Sequence, residues 1–276
     1  MSESQQTLGQ NGYPQSKSCS KESSGATPKQ RWKAHLDSEL VHLPLLACCF
    51  CTGLLDTTMF QAYGTFVSMQ TGNTIFLALG ASNQNIKPYD WARSLCSIGC
   101  FIIGAFFFSR LNRRLGSKIP QRGPLALSFF LQAALVFVAA ILVQVGAVNQ
   151  RQSDNGVTDW REIAPIALLS FQAAGQIVAS RVLGVNEVPT VVITSLLADL
   201  FSDPNLTAKP ILTGNRKRNN RVVGFVLTLV ASIAGGWILK GTGQVQPVLW
   251  LVFGIKAVIG LAWLIWKEDD TKQNTV

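Results

Sequence analysis

Uninterrupted apolar stretches constrain this chain more than any other feature of its sequence. The clearest stretch runs from Pro124 to Val148 without a charged residue, and a helix needs about 20 apolar residues to cross the hydrocarbon core of a bilayer. Only 14% of the 276 residues are charged, compared with roughly 25% in an ordinary soluble domain. The sequence therefore predicts an all-α, polytopic transmembrane helical bundle.

Eight apolar segments follow one another between two polar tails. They are residues 43–63, 66–79, 91–109, 124–148, 163–183, 188–201, 222–239 and 247–266. Two of them, 66–79 and 188–201, are short, because about 14 helical residues extend about 21 Å and the core is about 30 Å thick. We expect these two to form partial helices that do not cross.

The charges on the loops predict which segments cross. The 110–122 and 203–221 loops are strongly basic, whereas the 149–162 loop carries more acidic than basic residues. Basic loops stay in the cytoplasm, so an even number of crossings must separate the two basic loops. Since three segments lie between them, one of the three cannot cross. We therefore expect six full spans, with both termini in the cytoplasm.

The two short segments occupy corresponding positions in two halves of the chain. Gly53 and the Thr71-Gly72 step recur as Gly175 and Thr194-Ser195 about 122 residues later, and three crossings per half would invert the second copy, as in many secondary transporters. The predicted organisation is a disordered polar tail (1–40), a first transmembrane half (41–148), an extracytoplasmic loop (149–162), a second half (163–266) and a C-terminal tail (267–276).

The first short segment and the helix before it resemble the signature of the YoaK-like membrane proteins, a domain of unknown function in bacteria and fungi. That family has a Gly-x-x-Asp-Ala step and then Phe-Val-Ser-x-x-Thr-Gly-Asn-Thr. This chain reads Gly53-Leu54-Leu55-Asp56-Thr57 and then Phe66-Val67-Ser68-Met69-Gln70-Thr71-Gly72-Asn73-Thr74. The resemblance implies a membrane location and about six spans over residues 41–266, but no substrate. In the second half, the family's Gly-x-Gln-Asn-Ala step is replaced by Gly175-Gln176-Ile177-Val178-Ala179.

Polar side chains at membrane depth are the candidate site, because such groups usually face a bundle interior or a wet cavity. Asp56 either binds a solute, cation or proton or acts as a structural carboxylate. Gly72 and Asn73 either line a site or lock helices together. Lys256 is expected to pair with Asp56 or Asp199, or to line a polar path. The candidate substrate-binding residues are Asp56, Gln70, Thr71, Gly72, Asn73, Thr74, Gln176, Thr194, Ser195 and Lys256.

Several other functions find no support in the sequence. The net charge of +9 comes from clusters between apolar segments, which suit lipid headgroups better than nucleic acid. Cys48 and Cys51 share a helix face, as do Cys96 and Cys100, but no histidine joins them, so no metal and no cofactor is predicted. Catalytic signature motifs are absent, and we do not expect an enzyme.

The resulting hypothesis is a membrane protein that acts as a permease or channel-like transporter of a small polar or ionic solute. The alternative is a scaffold or lipid-interacting protein that transports nothing and uses its polar motifs to lock helices together. The lipid bilayer is the expected partner in both cases. Nothing in the sequence indicates the oligomeric state.

Overall fold

The computed structural model describes residues 40–84, 89–115, 121–150, 159–211 and 213–266. Almost all of the two predicted tails, and parts of the 110–122 and 149–162 loops, lie outside these ranges. The described residues form the helices α1 (His42–Tyr63), α2 (Gln70–Ala81), α3 (Asp90–Leu115), α4 (Arg122–Gln144), α5 (Ile163–Val182), α6 (Ile193–Phe201), α7 (Arg216–Thr242) and α8 (Gln246–Ile265). A 3-10 turn at Trp160–Glu162 leads into α5.

Six of these helices are long and apolar enough to cross a bilayer, namely α1, α3, α4, α5, α7 and α8. The predicted all-α bundle with six spans is therefore confirmed, and the chain is a multi-pass integral membrane protein. The other two helices have 12 and 9 residues, which correspond to about 18 and 13 Å of length. Both are shorter than the roughly 30 Å hydrocarbon core.

Contacts along the long helices fix their relative directions, with α1 and α7 parallel, α3 and α5 parallel, and α4 and α8 antiparallel. The α1–α7 contacts are His42–Arg216 and Leu54–Gly235. The α3–α5 contacts are Arg93–Glu162 and Phe108–Phe171. The α4–α8 contacts are Phe129–Trp263 and Gln144–Trp250. If α2, α6 or both crossed the bilayer, at least one of these relations would be reversed. Neither short helix crosses, and α4 and α7 begin at the same end of the bundle.

The helix pairs in the first half of the chain have counterparts in the second half. Helix α1 packs against α7 and α3 against α5, while α2 packs against α3 and α6 against α7. Helix α4 contacts α5, and correspondingly α8 contacts α1. Exchanging α1–α4 with α5–α8 leaves this set of pairs unchanged, and the antiparallel α4–α8 pair is exchanged with itself.

Helices α3 and α7 form the lipid-facing sides of the bundle. Their outward faces carry large exposed apolar side chains, including Ile103 and Phe106 on α3 and Ile233 and Trp237 on α7. Such faces are expected where a helix contacts hydrocarbon instead of water. The buried interior therefore lies along α1, α4, α5 and α8.

Candidate functional site

The chain turns back into the bundle after α1. Gly64 ends α1 with a left-handed backbone, φ 68°, which glycine adopts without a steric penalty. The N–H groups of Val67 and Ser68 then donate to Oδ1 of Asp56 at 2.8 and 2.9 Å, and the Ser68 hydroxyl donates to Oδ2. Since Asp56 precedes the end of α1 by about two turns, the carboxylate holds this re-entrant turn about 10 Å inside the bundle.

Helix α2 therefore begins in the interior and runs back towards the end of the bundle. Its first residue, Gln70, donates to Ser97 of α3 at 3.2 Å, and its end packs at Gly80 against Trp91 near the start of α3. The polar residues of the predicted segment 66–79 form the first turn of this helix, because residues 64–69 belong to the first re-entrant turn.

Asn73 and Gly72 tie this helix start to its surroundings. The side chain of Asn73 accepts from the Phe66 N–H at 3.1 Å and donates to the Phe66 carbonyl at 2.8 Å and to Ser97 at 3.0 Å. A Cβ atom on Gly72 would lie 2.8 Å from the Phe66 ring. Both residues thus make the contacts that are expected if the motif locks helices together.

A second re-entrant turn follows α5 from the other end of the bundle. The hydroxyl of Ser180, in the last turn of α5, donates to the Val188 carbonyl at 2.9 Å. This bond holds Val188 beside α5, so the chain has turned back towards the interior of the bundle. Thr52 of α1 then donates to the Thr190 carbonyl at 2.8 Å. Helix α6 begins three residues later at Ile193, so it also starts inside the bundle.

The two turns reach α1 at Thr52 and Asp56, one helical turn apart, and a cavity of about 460 Å³ lies between them. Four predicted site residues line it: Asp56, Gln70, Thr71 and Thr194. The remaining lining residues are Thr52, Gly53, Thr57, Phe66, Ser68, Met69, Phe101, Ile177, Val191, Val192, Ile193, Thr228 and Ser232. Both re-entrant helix starts therefore face one cavity, whose wall carries a few polar groups among mostly apolar side chains.

Four further predicted site residues lie beside this cavity without lining it. Gly72 and Asn73 are turned towards the first re-entrant segment, as described above. The hydroxyl of Thr74 donates to the Gln70 carbonyl at 2.8 Å, and that of Ser195 donates to the Val192 carbonyl at 3.3 Å. Their polar groups are therefore used within their own helices.

Lys256 is fully buried near the middle of α8. Of the two alternatives predicted for it, a pair with Asp56 or Asp199 and a place along a polar path, the structure does not show the pair. Its Nζ donates to Oε1 of Gln176 at 2.5 Å and to Oε1 of Gln132 at 2.8 Å. Asp56 is engaged by the first re-entrant turn, and Asp199 lies 3.8 Å from Arg221. The expected pairing was wrong because α8 packs against α4 and α1, whose facing side chains a single sequence does not identify.

Gln176 connects this lysine to the cavity. Its amide nitrogen donates to the Thr52 hydroxyl at 2.6 Å, and Thr52 lines the cavity and bonds to the second re-entrant turn. Thr52 and Gln132 were not among the predicted site residues. A signal existed for Gln132, because it is a polar amide inside an apolar span.

A family model described as a protein of unknown function, DUF1275, matches residues 44–262. That range includes all eight helices and both re-entrant turns apart from a few terminal residues, and it agrees with the resemblance to YoaK-like proteins. No curated protein and no solved structure matches the chain. The match covers well over half of the sequence, so the protein is a member of the DUF1275 family.

Proposed function

We propose that the protein is a permease or channel-like transporter, and that a small polar or ionic solute binds between the first turns of α2 and α6. The observation that carries this proposal is the meeting of two helix starts at one cavity. The N-cap residues are apolar, Met69 and Val192, and neither provides a side-chain cap. The first N–H groups of a helix have no partner within it. In α2, those of Gln70 and Gly72 donate to the Ser68 and Met69 carbonyls. Among the described residues, a ligand can therefore accept from the N–H of Thr71 in α2 and from those of Ile193 and Thr194 in α6.

The polar groups around the cavity support this proposal. Within the described ranges, the hydroxyl groups of Thr57, Thr71 and Thr194 make no hydrogen bond to the protein. Irregular backbone at membrane depth is tolerated only where it is buried in protein or lines a water-filled cavity. Half-helix ends with oriented dipoles are a recurrent way of binding a solute near the midplane of a transporter.

The proposal includes an inverted repeat of the two halves, with both termini in the cytoplasm and no enzymatic activity. Two glycine contacts support the repeat. A Cβ on Gly53 of α1 would lie 2.9 Å from Ala231 of α7, and one on Gly175 of α5 would lie 2.9 Å from Phe108 of α3. Gly53 and Gly175 are at corresponding positions, and so are the helices that they contact.

The test uses variants that fill the cavity without removing a hydrogen bond that holds the fold. Thr194→Leu and Thr71→Leu introduce larger apolar side chains at the two helix starts. Ser195→Leu is the matched control, because Ser195 is equally exposed and adjacent but does not line the cavity. Each purified protein is reconstituted into liposomes, and a screen of small solutes is followed by light scattering or pH-sensitive dyes.

We expect the unmodified protein to move at least one solute, and both cavity variants to reduce that flux at least about 10-fold. This corresponds to binding weakened, or a barrier raised, by about 1.4 kcal/mol. Ser195→Leu should retain the flux. A protein that moves no solute, proton or ion, or a flux that survives filling of the cavity, would contradict the proposal.

The scaffold interpretation is the second candidate, and the bonds of Asp56 and Asn73 to the first re-entrant turn favour it. These bonds show that the polar motif has a structural use even if no solute is moved. Under this interpretation, the unmodified protein moves no solute, and the cavity variants should leave protein abundance unchanged, because nothing binds there.

A further inference from the structure

A second cavity, of about 670 Å³, lies on the surface of the bundle between α3 and α5. Its walls come from the C-terminal parts of the two parallel helices, so it lies near the end of the bundle at which both helices finish. The lining residues are Ala105, Ser109, Asn112 and Arg113 of α3, and Ile177, Val178, Arg181 and Val182 of α5. Ile177 also lines the central cavity, whereas the others do not.

The charged side chains of this surface cavity lie together at its outer end. Because α3 and α5 are parallel and Gly104 packs against Ala174, positions along the two helices can be compared. Arg113 and Arg181, each about two turns further along, lie within about 3 Å of the same height. Ala105 is about 12 Å deeper than Arg113. The cavity therefore has a basic rim and an apolar floor that extends into the depth of the hydrocarbon.

The positive charge of the rim is not offset by a carboxylate of the described residues. Arg113 makes no hydrogen bond or ion pair with any of them, and Arg181 donates only to Oδ1 of Asn186, at 2.8 Å. A guanidinium has five N–H donors, so most donors of both residues are available. Both arginines also lie in the last turn of their helices, where a cation offsets the helix dipole. That role explains a basic residue on each helix but not the cavity that the two share.

Asn112 provides a buried acceptor beside these donors. It is only 7% exposed, and its Nδ2 donates to the Phe108 carbonyl at 2.8 Å. Its Oδ1 has no hydrogen-bond partner among the residues that the structure describes. A buried polar atom is costly to leave unpaired. The rim therefore suits a ligand that carries both an anionic group and an N–H or O–H donor.

We propose that this surface cavity binds the headgroup of an anionic phospholipid from the leaflet at this end of the bundle. Arg113 and Arg181 donate to the phosphate oxygens, since guanidinium groups match phosphate geometry. A hydroxyl or ammonium group of the headgroup donates to Oδ1 of Asn112. The acyl chains lie over the apolar floor, which continues onto the lipid-facing side of α3. Basic pockets between membrane helices bind such headgroups elsewhere, and the inference does not depend on the proposed transport function.

Native mass spectrometry of the full chain measures this binding directly. The purified protein, in lipid-free detergent, is titrated with phosphatidylglycerol, phosphatidylmethanol or phosphatidylcholine of equal chain length. The first two carry the same negative charge, but only phosphatidylglycerol has headgroup hydroxyls that can donate to Asn112. Glycerol phosphate and inorganic phosphate are added as competitors, because they distinguish a lipid site from a site for free phosphate compounds.

We expect phosphatidylglycerol to bind about 10-fold more tightly than phosphatidylcholine, and Arg113→Gln and Arg181→Gln each to weaken its binding about 10-fold, as loss of a charge-assisted hydrogen bond would. Arg114→Gln is the matched control, because Arg114 is the next residue and is exposed but does not line the cavity. It should retain binding. The unmodified protein should prefer phosphatidylglycerol to phosphatidylmethanol about 3-fold, the effect of one hydrogen bond, and Asn112→Leu should abolish this preference.

Thermal unfolding without added lipid provides the control for folding. Because Arg113 has no partner among the described residues, Arg113→Gln and Arg114→Gln should unfold at the same temperature. Equal binding of phosphatidylcholine and phosphatidylglycerol, or equal effects of these two substitutions on phosphatidylglycerol binding, would overturn the inference. Displacement of phosphatidylglycerol by equimolar glycerol phosphate or inorganic phosphate would overturn the assignment to a lipid. Equal binding of phosphatidylglycerol and phosphatidylmethanol would contradict the role of Asn112.

Discussion

Two ionisable residues in the interior, Asp56 and Lys256, are held by entirely different partners. Asp56 accepts hydrogen bonds from backbone and hydroxyl groups of the first re-entrant turn. Lys256 donates to two glutamine amides on neighbouring helices. Asp56 therefore stabilises the first re-entrant turn, whereas Lys256 stabilises the contacts of α8 with α4 and α5. The two residues do not pair with each other.

Replacing Asp56 should destabilise the fold. In Asp56→Ala, the N–H groups of Val67 and Ser68 lose their acceptor inside the bundle, and leaving buried donors unsatisfied costs about 1–3 kcal/mol each. We expect the free energy of unfolding in detergent to fall by about 3 kcal/mol. Thr57→Ala, at the neighbouring position, should change it by less than about 0.5 kcal/mol. Equal stability of the two variants would show that Asp56 does not hold the turn.

The predicted residues that line the cavity are those whose position alone is unusual. Asp56, Thr71 and Thr194 are polar groups in or next to apolar segments, and all three line the cavity. The partners of Lys256 were not identified, because Gln132 and Gln176 lie on other helices whose facing sides depend on packing. A sequence pattern reports depth along one helix and carries little information about its neighbours.

At the scale of the helices, α1 is the central element of the bundle. It packs along α7, contacts α8 and α5, and holds both re-entrant turns through Thr52 and Asp56. Its close approach to α7 depends on Gly53, since a Cβ atom there would overlap the Thr228 carbonyl oxygen. Small residues commonly allow such close approach of membrane helices.

A larger side chain at Gly53 should separate these two helices. Gly53→Val is expected to lower the free energy of unfolding by about 1–3 kcal/mol or more, the usual cost of overpacking. Gly254→Val on α8 is the matched control, because no atom lies within 4 Å of a Cβ at that position. Thermal unfolding of both variants in detergent would measure the difference, and equal losses would rule out a specific contact at Gly53.

The connection between α6 and α7 should respond to acid. The pKa of Asp203 is lowered mainly by a hydrogen bond from Asn215, and further by one from the Asn205 N–H and by the charge of Arg221. The ionised Asp203 carboxylate therefore stabilises the folded connection above the unfolded pKa of about 3.9. This stabilisation is lost as the pH falls through the lower folded pKa. Proteolysis of this connection should accelerate below about pH 4 in the unmodified protein. Asp203→Asn should remove that pH dependence.

At the scale of the whole molecule, the number of spans and the non-crossing of the short helices followed from length and loop charge. The re-entrant path did not, because it depends on hydrogen bonds between distant residues, such as Thr52 with Thr190. The six spans place the chain in the membrane, and the two re-entrant helices α2 and α6 begin at one cavity inside the bundle. The proposed transport function depends on that arrangement.

Labelling of single cysteines tests this arrangement most directly. In a chain that carries Cys19→Ser, the substitutions Arg114→Cys, Lys217→Cys and Gln244→Cys each place an exposed thiol at one end of the bundle. A maleimide that cannot cross membranes is applied to sealed vesicles. The structure predicts that residues 114 and 217 are labelled from one face and residue 244 from the opposite face. Labelling of residues 114 and 217 from opposite faces would mean that a short helix crosses, and would contradict the re-entrant cavity.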